Sequence, residues 1–562
     1  MTQTISMKKL PFASLLVSAL LCSPSVSASD DADTLVINAV VYAEQPAEAI
    51  AIKDGKITFV GSNQQARELQ GNQTDVLDME GAMVLPGFID NHNHVFEAAS
   101  EAGGSCELSP DEDLNGQIPY LEACADEAQP GQWLIGYGFS LEMILDDAAN
   151  AQTPLALLDE FFPDQPVILM EQTSHAMWVN SAALDQAGIT LASPEPQGGR
   201  HLKDPDSGEL NGILLDNAGD IVMELAWNNL NNVFQRSYNG LLNGLYIASE
   251  HGITTIGDGR MYWQRGWYEV WQAARKNGDL TARVSLRPWI YPEGEPEEQL
   301  AFLKQIQTRQ PDSRLIVDQV KMYSDGILTN GTAKIIKPYR DSFVDDMPYG
   351  LNYIPPEDMK FWLSELNEIG YGAHIHAIGD GAVRESLNAI EAVRNEGSGR
   401  DYSLTHVEMI QNADIQRFKP LKVTADFQVA SSVGDHDWAI PFIGKKRTHQ
   451  LMQLRPIYDT GANLTLSSDW NVNDINPLSG IGSSIQMGKR GLPDIDAAID
   501  AYTLKPAISL GLDDITGSIE VGKSADFVVL SQDITQLAPS KIADTQILMT
   551  ILQGEIVYEA EE

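Results

Sequence analysis

The side chains of this sequence best suited to chemistry are His92, His94, His376, His406 and Asp469. His92 and His94 end the apolar run Val84-Leu85-Pro86-Gly87-Phe88-Ile89-Asp90-Asn91-His92-Asn93-His94. On a β-strand, residues i and i+2 point to one face, so both imidazoles can close on one ion. His376 lies in His374-Ile375-His376-Ala377-Ile378-Gly379-Asp380, His406 closes a later apolar run, and Asp469 sits in Ser467-Ser468-Asp469-Trp470. Neutral imidazoles and a carboxylate suit Zn²⁺ or a similar divalent ion, which makes bound water acidic near neutral pH and polarises a carbonyl. A carboxylate beside that water can take its proton and pass it to a leaving group, and Asp469 is the residue expected to do so. Its ordinary alternative is a strand-end aspartate that caps the next helix.

These residues are far apart in the chain, so regular elements must gather them. Strand-like runs, each closing on polar or glycine residues and followed by helical patterning, cover Met83 to His94, Gly252 to Gly259, Arg283 to Ile290, Asp318 to Ser324, Tyr371 to His376, Tyr402 to His406, Val423 to Gln428 and Asn463 to Asp469. Such repetition predicts an α/β fold, a (β/α)₈ TIM barrel with its site at the carboxyl ends of the strands. The interval from Gly131 to Phe234 is too long for a loop and is predicted to be an inserted subdomain. A hairpin pattern around Lys53-Asp54-Gly55-Lys56 and alternating segments near the C-terminus predict a small β-sandwich-like domain built from both chain ends. The expected division is a signal peptide at 1–28, β-sandwich at 29–83, barrel start at 84–130, insertion at 131–234, the rest of the barrel at 235–505 and β-sandwich again at 506–562.

With 562 residues, 43% of them hydrophobic, the chain can bury a large core and exceeds one ordinary domain. The net charge of −42 repels phosphate backbones and anionic lipid surfaces, which argues against nucleic acid as a partner and points to solubility in a salty medium. Lys8-Lys9, the apolar run from Leu10 to Cys22 and the small residues up to Ala28 have the order of a secretory signal peptide. That run is too short for a membrane anchor, and Leu21 before Cys22 does not fit a lipoprotein signal. A periplasmic or secreted location follows, where Cys106 and Cys124 either pair or stay as buried thiols.

The motifs together resemble the amidohydrolase superfamily, in its amidohydrolase 3 group, which holds N-substituted formamide deformylase and the YtcJ-like hydrolases. The resemblance rests on Gly87 to His94, Ser174-His175-Ala176-Met177-Trp178-Val179-Asn180-Ser181-Ala182-Ala183-Leu184, Val320-Lys321-Met322-Tyr323-Ser324-Asp325-Gly326, His376 to Asp380, Ser468-Asp469-Trp470 and Gly522 to Leu530. It implies two metal ions, expected to be Zn, with His92 and His94 on one, His376 and His406 on the other and a carbamylated Lys321 between them. A lysine desolvated inside a barrel becomes a neutral amine able to take up carbon dioxide; its bland alternative is an ion pair with Asp325. The resemblance maps the ligand onto His376, although His374 shares its strand face. It also makes His175 a substrate contact, against an ordinary helix-start histidine, and Trp470 a pocket wall, against core. Gly381 stands where relatives carry arginine, so no substrate carboxylate contact is inferred there.

The activity this implies is hydrolysis of a carbon–nitrogen bond in a small amide or N-acyl substrate, by metal-activated hydroxide with Asp469 as proton shuttle. The rivals are a one-metal deaminase or cyclic amide hydrolase of the same superfamily, and a non-catalytic binding or regulatory protein on the same fold. The sequence leaves open the natural substrate, the identity and number of the metals, and whether the assembly is a homodimer.

Overall fold

The computed structural model describes residues 31–96, 106–128, 131–145, 152–310, 313–344, 346–430 and 436–561; the expected signal peptide and Cys22 lie outside them. Short runs buried on both faces form the parallel strands of a mixed α/β fold. One sheet carries, in order, Leu315–Ile316, Arg283–Ser285, Ile253–Asp258 and Phe88–Asn93. The other carries Gln319–Tyr323, Gly372–Ala377, Tyr402–His406, Val423–Gln428 and Leu464–Ser467. All pairings within both sheets are parallel. Intervening helices cover them, as where Asp380–Asn395 turns Val383, Leu387 and Ile390 inward.

Each predicted strand run overlaps one of these strands, Gly372–Ala377 running one residue past the predicted end at His376, and Leu315–Ile316 is an addition. The closed barrel expected from the sequence is not formed among the described residues, and the seams show why. At one, Lys321 N–H donates to the Pro288 carbonyl at 3.0 Å and Ile290 N–H to the Lys321 carbonyl at 3.1 Å. The contact remains a single bridge, Trp289 opposite Lys321, because Pro288 has no N–H with which to extend a ladder. At the other, the carbonyls of Ala501 and Tyr502 accept the N–H groups of Leu466 and Ile89, at 2.9 and 2.7 Å, which the two strands would otherwise exchange. There the backbone hydrogen bonds lie just past the carboxyl ends of the strands, Asp469 N–H to the His92 carbonyl at 2.8 Å and His94 N–H to the Trp470 carbonyl at 2.9 Å, while the Asn91 amide reaches Thr465 Oγ1 at 3.3 Å between the strands.

The run Met83 to His94 is not one strand. It divides at Gly87, where an added Cβ would strike the Thr254 side chain, and Met83–Pro86 pairs antiparallel with Phe527–Leu530. That pairing places it in a five-stranded sheet with Val40–Val41, Ile547–Leu552 and Glu555–Glu559. A four-stranded sheet of Lys56–Gly61, Ala49–Lys53, Ala32–Ile37 and Gln70–Asp78 lies beside it. Val36, Ile50 and Ile57 from the N-terminal side share a core with Val84, Phe527, Val529 and Ile551.

A six-stranded sheet holds Gly199–Lys203, Leu210–Asp216, Ala176–Val179, Val167–Glu171, Leu134–Phe139 and Cys106–Glu107. It takes its last strand from a segment assigned by the sequence to the barrel start. Cys106 also forms a disulfide with Cys124, which ties that strand to the helix Ile118–Glu127.

Candidate metal centre

The strand ends bring four of the expected residues into one cluster. His92 Nε2 lies 3.1 Å and His94 Nε2 3.0 Å from the same oxygen of Asp469, Oδ1. His406 Nδ1 lies 3.8 Å from Asp469 Oδ2. The backbone is forced to achieve this: Asp469 has φ 54°, His406 74° and Val407 42°, left-handed values that cost a non-glycine residue about 1–2 kcal/mol. Burial alone would raise the Asp469 carboxyl, but the surrounding imidazoles outweigh it and hold the group well below the usual carboxylate range. Burial also keeps His92 and His376 far below the ordinary histidine value and lowers His406 to about 3. The cluster therefore offers neutral imidazoles and a carboxylate, the donor set of a divalent metal site.

In three of the rings, the protein itself occupies one nitrogen and leaves the other to the centre. His376 Nε2–H donates to the Gly326 carbonyl at 3.0 Å, and its Nδ1 is buried without a hydrogen-bond partner. His406 Nδ1–H donates to Gln428 Oε1 at 2.8 Å. Gln428 is oriented in turn, because its amide nitrogen donates to Asp426, Thr405 and Ser467. His92 Nδ1 lies 2.7 Å from His374 Nε2, and His374 Nδ1 2.6 Å from Ser403 Oγ. Locking one imidazole nitrogen in this way fixes the tautomer and orientation of a metal-binding histidine. By this test the residues fit a divalent ion.

Among the described residues, two triads have ligand atoms all within 4.8 Å of one another: His92, His406 and Asp469, and His92, His374 and Asp426. Asp426 already accepts from Thr465, Ser467 and Thr405 at 2.6 to 2.8 Å, so the first triad has the freer oxygens. His376 belongs to neither triad; its ring lies 4.5 Å from that of His406. His374 stacks on His92 at 4.9 Å. Its contribution was legible only as a shared strand face, and those of Asp426, Gln428 and Ser403 carried no motif.

Lys321 is fully buried, with Nζ 3.4 Å from both ring nitrogens of His92. Burial drives its ammonium far below the ordinary lysine value. The pairing with Asp325 does not occur. That carboxylate instead accepts backbone N–H groups of Lys334, Ile378 and Gly379 at 2.8 to 3.0 Å.

His175 reaches the centre from the inserted sheet, with its ring 4.9 Å from that of His376 and 5.2 Å from that of Tyr323. Trp470 is half-buried and packs against the main core, while its carbonyl holds His94 in place.

A sequence model of the amidohydrolase family matches residues 75–558. The chain is 28% identical over 538 residues to YtcJ of Bacillus subtilis (strain 168), covering 91% of this chain and 96% of that one. It is 26% identical over 554 residues to N-substituted formamide deformylase of Arthrobacter pascens, covering 94% and 98%. Its fold is similar to that of a metal-dependent hydrolase from Pyrococcus horikoshii OT3, with a TM-score of 0.70 and 20% identity over 90% of this chain and 99% of that one.

Proposed function

This chain belongs to the amidohydrolase family and is a hydrolase of that superfamily, and from that premise we propose that it cuts the carbon–nitrogen bond of a small amide or N-acyl substrate. The observation that carries this reading is the approach of His92 and His94 to one oxygen of Asp469, at 3.1 and 3.0 Å, with His406 at its other oxygen. His92, His94 and Asp469 would hold one ion and His376 and His406 a second, with Zn as the expected metal and a carbamylated Lys321 between them. Support for the carbamate is a buried amine kept neutral beside His92, with no ion pair to a described carboxylate. When bound, the metal supplies a water reactive at neutral pH and polarises the carbonyl of the substrate. The Asp469 carboxylate, held well below the usual carboxylate range by the imidazoles around it, is the base that takes a proton from water and returns it to the departing nitrogen. His175 and Trp470 border the substrate.

The two parallel sheets are proposed to be halves of an interrupted (β/α)₈ barrel, with the domain limits predicted from the sequence except that Met83–Pro86 joins the terminal sheets and Cys106–Glu107 the inserted one. No helix among the described residues is long and apolar enough to cross a membrane. A periplasmic or secreted location is proposed on the Lys8 to Ala28 pattern and the Cys106–Cys124 disulfide.

The test is a screen of the Zn-loaded protein against N-acyl amino acids, formamides and cyclic amides. Asp469→Asn is expected to lose about 10²–10⁴-fold in kcat on any substrate found. Lys321→Ala is expected to lose one ion by metal analysis. Full activity in Asp469→Asn, or no hydrolysis across the whole panel, would remove the proposal.

A further inference from the structure

Two adjacent strands of the inserted sheet bring a histidine and a carboxylate together beside the metal centre. His175 immediately precedes Ala176–Val179 and Asp216 ends Leu210–Asp216, strands that pair antiparallel with Ala176 opposite Leu215. His175 Nδ1–H donates to Asp216 Oδ1 at 2.7 Å, and Asp216 N–H donates to the His175 carbonyl at 2.8 Å.

Asp216 is held there against its own stability. Its backbone sits at φ 49° and ψ −126°, outside the regions open to most residues. Its Oδ2 is buried without a hydrogen-bond partner. Gly326 packs so closely that a Cβ there would lie 2.7 Å from both carboxylate oxygens, and the carbonyl of the same glycine orients His376. Ser174, next to His175, is also left-handed, at φ 65°. Features of this kind persist only where the surroundings impose them, most often at functional sites.

The pair also fixes the chemistry of the imidazole. A carboxylate only accepts, so Nδ1 carries the proton, and in the Nδ1–H tautomer Nε2 is an acceptor. Nε2 makes no hydrogen bond to a described residue, while the ring lies face to face with Tyr323 and against His376.

We propose that Asp216 is a positioning residue that holds His175 in its Nδ1–H form, so that His175 Nε2 accepts the N–H of the scissile amide. This rests on the carbon–nitrogen hydrolase reading and narrows it. The pocket selects substrates whose nitrogen keeps a hydrogen, primary and secondary amides, over N,N-disubstituted ones.

The experiment uses the full chain loaded with Zn and matched pairs of N-acyl amines and their N-methyl counterparts, comparing wild type with His175→Ala and Asp216→Asn. Wild type is expected to favour the N–H member by roughly 10–100-fold in kcat/KM. Both variants should lose about that factor on the N–H member and less than about threefold on the N-methyl member. Equal losses on both members mean a merely structural role and overturn the proposal alone. A wild type that cleaves no pair overturns it together with the reading beneath it. Independently of activity, ¹⁵N-histidine spectra should show His175 protonated at Nδ1 in wild type and shifted toward Nε2–H in Asp216→Asn. An Nε2–H signal for His175 in the wild type overturns the proposal outright.

Discussion

Glu171 closes a strand of the inserted sheet four residues before His175 and is 3% exposed. Burial pushes its carboxyl up from 4.5 to about 7, although Thr173 donates to it from both its N–H and its hydroxyl. A raised acid binds its proton more tightly in the folded chain than in the unfolded one. The contribution of this group is therefore complete below pH 4.5 and is lost as pH rises through about 7. Glu171→Gln keeps the neutral shape and should gain roughly 3 kcal/mol relative to wild type at pH 8, and little at pH 4. Denaturant midpoints at the two pH values check this, and an equal effect at both would disprove it. At this scale the motif around His175 was legible. Its partner Asp216 was not, because strained φ values and a bare buried oxygen leave no mark in a sequence.

Among elements, the joint between the parallel strands and the terminal sheets is a buried ion pair. Arg283 Nη1 donates to Asp526 Oδ2 at 2.7 Å, with both side chains at most 1% exposed. The same carboxylate accepts from Ser524 Oγ at 2.7 Å and Gln553 N–H at 2.9 Å. Removing one partner strands the other charge, so Asp526→Leu should cost about 3–5 kcal/mol, and the double variant Arg283→Leu/Asp526→Leu should recover most of it. Thermal unfolding of wild type, the single and the double variant measures the recovery; a double variant as unstable as the single one would contradict it. Strand positions here were readable from apolar runs that end in polar residues. The break at Gly87 was read through: Pro86-Gly87 is the mark it leaves in the sequence, and the pairing of Met83–Pro86 with Phe527–Leu530 is what separates the halves.

For the whole molecule, the dominant global fact is a net charge of −42. Self-repulsion on that scale destabilises the compact state and is screened by salt, with a Debye length near 10 Å at about 0.1 M. The melting temperature should therefore rise between about 20 and 500 mM NaCl, and KCl should act alike because screening is indifferent to the cation. A flat or falling curve in differential scanning fluorimetry would show that repulsion does not limit stability.

The sequence by itself determined the α/β class, where the parallel strands fall and the amidohydrolase kinship, and it singled out His92, His94, His406 and Asp469 as candidates, because strand periodicity and short motifs are local. Tertiary structure alone decided that the strands form two sheets, since the seam hydrogen bonds go to Ala501 and Tyr502 and Pro288 has none to give. It also decided which nitrogen of His376 and of His406 the protein itself occupies, and that Asp216 faces His175, 41 residues earlier in the chain. A hydrogen-bond partner supplied by a distant segment is set by packing, and no spacing along the chain encodes it.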